Sequence, residues 1–94
     1  MLLVLAGAGF SAAADKPLIT PEEDLTQEVV LRCIFHLGEF GTGMVHSCTE
    51  ADLAAARALR DYSAARHADI AACAEKYITH GWSRVKQCAD AMQR

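Results

Sequence analysis

The spacing of the cysteines is the feature that most constrains how this sequence can fold. The chain has four cysteines, and the same pattern of Cys, Gly, Val and Cys occurs twice, as Cys33-x7-Gly41-x3-Val45-x2-Cys48 and as Cys73-x7-Gly81-x3-Val85-x2-Cys88. Four coincidences at a fixed offset of 40 residues indicate an internal repeat. A chain of 94 residues has room for one small domain, which excludes a multidomain enzyme.

The N-terminal segment is typical of a signal peptide. Residues 1–14 carry no charge, and Ala12 and Ala14 fit the small-x-small rule for cleavage before Asp15. The apolar run is about half as long as a membrane span requires. We therefore predict a signal peptide over 1–14, a lead-in over 15–20, a mature chain without a membrane span, and a periplasmic or secreted location. The alternative is that residues 1–14 form a buried part of the domain.

The periodicity of apolar residues is helical in both repeats, and no strand pattern occurs. Thr20 to Glu23 combine a capping box with Pro21 at the first helical position, which predicts a helix start near Pro21. Three glycines then end that helix, a second helix runs to about Tyr62, and two more cover about 64–79 and 82–93. The predicted fold is all-α: one domain over 21–94, built from two tandem helical hairpins of about four helices. The repeats cover about 21–62 and 63–94.

The segment between the two hairpins leaves one choice open. Residues 51–74 contain eleven alanines and no glycine or proline, so their helix propensity is close to the maximum. They could form one long helix through Ser63 or two helices that bend at Tyr62 and Ser63. Propensity alone does not decide between these two arrangements.

The helical repeat also predicts the disulfides, because four cysteines in a short exported chain favour two bridges. Residues equidistant from the turn of a helical hairpin face each other. Cys33 and Cys48 are symmetric about Phe40 and Gly41, and Cys73 and Cys88 are symmetric about His80 and Gly81. This favours one disulfide in each hairpin. The rival pairing, Cys33 with Cys88 and Cys48 with Cys73, requires a sharp turn near 61–63.

The first hairpin also holds a candidate metal site. Two thiols and two imidazoles near one turn could form a tetrahedral zinc or copper site, which would make the chain a periplasmic metal-handling protein. These residues are Cys33, His36, His46 and Cys48. The repeat favours a different interpretation, because the counterparts of the two histidines are Lys76 and Lys86, as expected of solvated positions. We therefore predict no metal and no other cofactor, and keep the metal site as the alternative.

The remaining chemistry favours a binding or structural protein over an enzyme. Cys-x-x-Cys and Gly-x-Ser-x-Gly motifs are absent from the sequence. Nine Lys and Arg against twelve Asp and Glu, with no basic run, argue against nucleic acid as a partner. An unknown protein partner is the expectation, and a toxin-like or inhibitory peptide is a further possibility.

The aromatic and methionine side chains supply one candidate for partner contact. Trp82, beside Gly81 at the second turn, could anchor a partner, since tryptophan is enriched at binding hot spots. The alternative for Trp82 is that it folds over Tyr77 or Ile78 and closes the core. The other large side chains on or near the apolar stripes are predicted to belong to the core: Phe35, Phe40, Met44 and Met92.

The second repeat also resembles a known sequence pattern. Residues 81–90 read Gly-Trp-Ser-Arg-Val-Lys-Gln-Cys-Ala-Asp. With Cys73 upstream, they resemble a Gly-Trp-x-x-Val-Lys-x-Cys-x-Asp segment of small exported bacterial proteins. The first repeat departs from that pattern, with Thr42 where tryptophan is expected. The resemblance implies a disulfide hairpin and a bacterial envelope setting. It implies no activity, because that group has none assigned.

Overall fold

The structure, a computed structural model, describes residues 17–93 and is helical over most of that range. The predicted signal peptide lies outside the described residues. The four α-helices between residues 17 and 93 are α1 (Glu22–Leu37), α2 (Thr42–Arg60), α3 (His67–Tyr77) and α4 (Trp82–Ala91). Short 3-10 turns precede α2, α3 and α4 at Gly38–Phe40, Ala64–Arg66 and Ile78–His80. The prediction of two tandem helical hairpins is confirmed.

The start of α1 differs from the predicted capping box. Pro21, with φ −57° and ψ 148°, occupies the N-cap position, and no side chain caps the first turn. The Thr20 hydroxyl instead donates a hydrogen bond to the Glu28 carboxylate, two turns into the helix. The predicted capping box is therefore wrong, because Pro21 is the N-cap residue and Thr20 lies one residue upstream of it.

The alanine-rich segment forms two helices. The helix α2 ends at Arg60, where the Asp61 and Tyr62 N–H groups donate to the Ala58 and Leu59 carbonyls at 3.1 and 3.2 Å. Ser63 is extended, with φ −64° and ψ 157°. The break is held by tertiary contacts, because the Arg66 guanidinium donates to the Ala89 carbonyl and lies 5.4 Å from the centre of the Tyr62 ring. Ile70 of α3 can reach the core only if the chain reverses here.

The core lies between the two hairpins. Its largest fully buried aliphatic side chains come from all four helices, and each contributes about 1.5–3 kcal/mol on burial: Leu25, Val29, Leu59, Ile70 and Val85. The helices α2 and α4 are in contact, and three of their alanines are buried: Ala55, Ala56 and Ala89. These small residues allow a close approach but bury little area, so the core is thin.

Each hairpin is closed by its own disulfide. Cys33 is bonded to Cys48 and Cys73 to Cys88, with Cα–Cα distances of 5.9 and 5.8 Å. The predicted within-hairpin pairing is confirmed and the crossed pairing is wrong. The break after Arg60 separates the hairpins in the chain, and each pair of cysteines then faces across its own turn. These intramolecular disulfides are consistent with an extracellular or secreted protein.

Glu22 joins the first turn of α1 to the last turn of α2. Its carboxylate accepts hydrogen bonds from Arg57, with Nη2 at 2.6 Å from Oε2, and from Arg60. The hydrogen bonds from these two guanidinium groups lower the pKa of Glu22 from 4.5 to about 2. An acidic first turn and a basic last turn also suit the dipoles of the two helices.

We expect Glu22 to contribute to the acid sensitivity of the fold. Because its pKa is lowered on folding, the stabilisation is complete above pH 4.5 and is lost as the pH falls toward 2. The Glu22→Gln variant should therefore lose less stability over this pH interval than the wild type. Urea unfolding midpoints at several pH values measure this. Glu23→Gln is the matched control, and equal pH profiles for Glu22→Gln and wild type would contradict the prediction.

Candidate interaction surface

The two hairpins turn with matching backbone geometry. Leu37 and Tyr77 have φ/ψ of −127°/4° and −122°/2°, and Gly41 and Gly81 have 102°/166° and 100°/167°. The glycine conformation is essentially closed to residues with a side chain. In both hairpins a valine N–H four residues into the helix donates to the glycine carbonyl at 3.3 Å. The two turns can therefore be compared position by position, at an offset of 40 residues.

The turn of the second hairpin is covered by the first hairpin. Asp52 of α2, which is 6% exposed, accepts hydrogen bonds from the Trp82 N–H at 3.0 Å and the Ser83 N–H at 2.8 Å. The carboxylate thereby satisfies two of the free N–H groups at the start of α4. The approach is so close that a Cβ placed on Gly81 would lie 2.7 Å from Asp52 Oδ1.

Asp52 belongs to a polar network that crosses between the hairpins. Arg32 Nη1 lies 3.7 Å from Asp52 Oδ2, and Arg32 Nη2 lies 2.7 Å from Glu28 Oε2. Glu28 Oε2 also accepts from the Trp82 indole N–H at 3.1 Å. Burial on its own would raise the pKa of Glu28, but hydrogen bonds from Thr20, Arg32 and Trp82 outweigh it and hold that pKa below its usual value.

Sequence reasoning missed this network. The residues Glu28 and Arg32 have the spacing of an ordinary ion pair on a helix surface, which contributes little. Asp52 carried one signal, since it is the sole acidic residue in the ten-residue alanine-rich segment from Ala51 to Arg60. A buried acid needs a partner, but its partners are Arg32 and two backbone N–H groups at positions 82 and 83, which no spacing rule connects to it.

The matching positions of the first hairpin are uncovered. Four positions that are buried in the second hairpin are exposed or half-buried in the first. The buried residues of the second hairpin are Gly81, Trp82, Val85 and Ala89. Their counterparts in the first hairpin are Gly41, Thr42, Val45 and Thr49. A Cβ placed on Gly41 would meet no atom within 4 Å among the described residues. The surface that the second hairpin uses for packing is therefore free in the first.

This free surface is a shallow groove between α1 and α2, which we call the open groove. Its volume is about 430 Å³, and it is lined by Val30, Ile34, Gly38, Gly41, Thr42, Val45, His46 and Thr49. Apolar side chains continue from the groove around α1, where Leu31, Ile34 and Phe35 are 57%, 48% and 84% exposed. Their spacing of three and four residues places them side by side on one helix face.

The exposed side chains correct one prediction. Phe35, Phe40, Met44 and Met92 were expected in the core, and all four are exposed. For Phe35 the physical reason is that α1 has two apolar stripes, and the buried one is that through Leu25, Val29 and Cys33. Phe40 and Met44 lie at the end of the first hairpin, where no other element of the described residues covers them. None of the residues from Ile34 to Ser47 is buried.

The corresponding residues of the second hairpin line a larger cleft. A cleft of about 640 Å³ has Ala74, Ile78 and Trp82 in its wall, the counterparts of Ile34, Gly38 and Thr42. The lining also includes Pro17, Leu18 and Thr20 of the lead-in, with Pro21 and Glu28. Residues of the first repeat and its lead-in thus lie next to this part of the second hairpin, with a cleft between them.

The structure places Trp82 in the core and not at the surface. The residue is 3% exposed, and its indole N–H is bonded to Glu28. The expectation of an exposed partner anchor at Trp82 is thus corrected, because the side chain is buried against the first hairpin and forms part of the wall of the cleft of about 640 Å³. Of the two interpretations, the one in which Trp82 closes the core agrees with its burial.

The four residues of the alternative metal site make other bonds and contacts. Both sulfurs, of Cys33 and Cys48, are in the disulfide, so neither is a thiolate ligand. His36 Nε2 lies 2.8 Å from the Thr79 carbonyl oxygen, and His46 Nε2 lies 3.6 Å from a Glu50 oxygen. Within residues 17–93 no three His, Cys, Asp or Glu side chains are grouped as metal ligands would be.

Comparison with known proteins identified no relative of this chain. No protein-family model, curated protein or solved structure matches the chain. Among the described helices, none has the length and apolarity to cross a membrane. The functional conclusion therefore depends on the surface geometry of the described residues.

Proposed function

We propose that this chain is a small exported protein without enzymatic activity that binds another protein through the open groove of its first hairpin. The observation that carries the proposal is the contrast between the two hairpins. The same surface is closed by Asp52 and α2 in the second hairpin and is open in the first. An apolar groove flanked by an exposed Phe35 is a surface that a partner would cover.

The rest of the fold supports a rigid binding surface. The disulfide between Cys33 and Cys48 holds α1 and α2 together at the groove, although no residue from Ile34 to Ser47 is buried. A surface that is held rigid before binding loses less entropy when a partner docks. We also infer that the hairpins are copies of one unit, which their matching turn torsions support.

Export is part of the proposal and has its own test. The uncharged segment 1–14 and the two disulfides support a periplasmic or extracellular location. The intact mass of the protein recovered from its producing cells, alkylated without reductant, should correspond to residues 15–94 less four hydrogens. A mass that includes residues 1–14, or that shows alkylated cysteines, would contradict export with oxidised cysteines.

Site-specific photocrosslinking tests the binding surface. A benzophenone amino acid in place of Phe35 should give a discrete adduct in the producing cells, and the same probe in place of the exposed Gln87 of α4 should not. The substitution Ile34→Asp should abolish the Phe35 adduct by placing a charge in the apolar groove. Its matched control is Ala72→Asp, at an exposed position of α3, which should leave the adduct unchanged.

The outcomes distinguish the proposal from its rivals. Equal adducts from positions 35 and 87, or none from position 35, would overturn binding through the open groove. An adduct with twice the mass of the chain would identify a second copy as the partner and would overturn a separate binding protein.

A further inference from the structure

The contact between the two hairpins shows which kind of partner this surface accepts. In the second hairpin the turn is covered by one face of α2, on which Asp52 is followed by small and apolar residues three, four and seven positions later. Ala55, Ala56 and Leu59 are all buried. The carboxylate meets the start of α4 while the small residues allow the helices to approach closely.

The open groove presents the same donors. Thr42 and Gly43 of α2 are the counterparts of Trp82 and Ser83, whose N–H groups bind Asp52. Among residues 17–93 no side chain accepts a hydrogen bond from the Thr42 or Gly43 N–H, unlike the N–H groups of Trp82 and Ser83. The Thr42 and Gly43 N–H groups lie at the positive end of a helix of 19 residues.

Resting on the proposed function, we propose that the partner docks in the open groove with a helix that carries a carboxylate. The carboxylate accepts hydrogen bonds from the Thr42 and Gly43 N–H groups, as Asp52 does from Trp82 and Ser83 in the second hairpin. Small residues follow it on the same helix face. The N–H groups at the positive end of α2 suit a carboxylate, and none of the residues that line the groove carries one.

A second copy of this chain does not supply such a face through its second hairpin. The counterparts of Asp52, which binds the start of α4, and of the core residues Leu25 and Val29 are Met92, Ala65 and Asp69. The required carboxylate is thus replaced by a methionine, and a core valine is replaced by an aspartate. The Asp52 of a second copy is already bonded within its own chain. The partner is therefore a separate protein with an acidic and small-residue helix face.

The experiment uses the chain's own α2 sequence as a probe. A synthetic peptide of residues 49–62, acetylated and amidated, is titrated into the 15N-labelled disulfide-bonded protein, and a second peptide carries Asp52→Asn. The Asp peptide should shift the Thr42 and Gly43 amide resonances. The Asn peptide should bind at least about tenfold more weakly than the Asp peptide, because hydrogen bonds to charged acceptors are stronger than those to neutral ones.

A matched pair of protein variants localises the effect. Thr42→Pro removes the N–H that the carboxylate needs, and proline is tolerated at the first position of a helix. Thr42→Ala retains that N–H. We expect Thr42→Pro to weaken binding of the Asp peptide about tenfold and to weaken binding of the Asn peptide, whose amide oxygen is a neutral acceptor, by less. Thr42→Ala should keep the wild-type ratio between the affinities of the two peptides.

The results separate this inference from the proposed function. Equal affinity of the two peptides, or no shift at Thr42 and Gly43 up to millimolar peptide, overturns the carboxylate-bearing helix as the partner. The proposed function stands in that case if the Phe35 adduct forms and is lost in Ile34→Asp. Failure of that adduct overturns the proposed function itself.

Discussion

Replacing Gly81 by alanine should destabilise the protein far more than the same replacement of Gly41. Both glycines have φ near 100°, so either alanine introduces backbone strain of about 1–3 kcal/mol. At Gly41 the new methyl group enters open space, whereas at Gly81 it would lie 2.7 Å from Asp52 Oδ1. Overpacking adds about 1–3 kcal/mol, and displacing Asp52 also weakens its hydrogen bonds to Trp82 and Ser83. We expect a total loss of about 3–6 kcal/mol at Gly81.

Urea unfolding of both variants measures the difference, and Asp52→Ala supplies the control. Without the Asp52 carboxylate the clash disappears, so Gly81→Ala in that background should cost about as much as Gly41→Ala does in the wild type. Equal losses for the two single variants would show that turn strain is the whole effect, and that the close approach of Asp52 to Gly81 is not formed.

Removal of one disulfide should lower the free energy of unfolding by about 3 kcal/mol in either hairpin. Each bridge joins cysteines 15 residues apart, so both restrict the unfolded chain to the same extent. Removing either one therefore raises the entropy of the unfolded chain by the same amount. That loss is a large part of the total stability of about 5–15 kcal/mol expected of a small domain. The double variants are Cys33→Ala with Cys48→Ala, and Cys73→Ala with Cys88→Ala.

The two double variants should differ in local opening. No residue from Ile34 to Ser47 is buried, so without its bridge the end of the first hairpin should lose amide protection. The end of the second hairpin contains buried Gly81, Trp82 and Val85 and should stay protected. Hydrogen exchange of the two variants checks this. Equal protection at both ends would mean that the first hairpin end is held by contacts other than the disulfide.

The local features of this structure could be predicted from the sequence. Three- and four-residue apolar spacing, the glycines at 41 and 81 and the symmetric cysteines were enough to predict four helices, two hairpins and the pairing of the bridges. These features depend on residues close in the chain, within one helix or across one turn. The break near Tyr62 stayed undecided, because it is held by Arg66 and Ala89, which are 23 residues apart.

What only the tertiary structure decided is which apolar and acidic residues find a neighbour. The stripe through Phe35 looks like the one through Leu25 in sequence, but the second hairpin packs against one and not the other. Trp82 and Asp52 are buried for the same reason, since the contact between hairpins joins positions 30 residues apart. Periodicity describes the face of a helix, whereas burial depends on what lies opposite that face. The sequence alone therefore determined the two hairpins, and their docking decided that the first keeps an open groove.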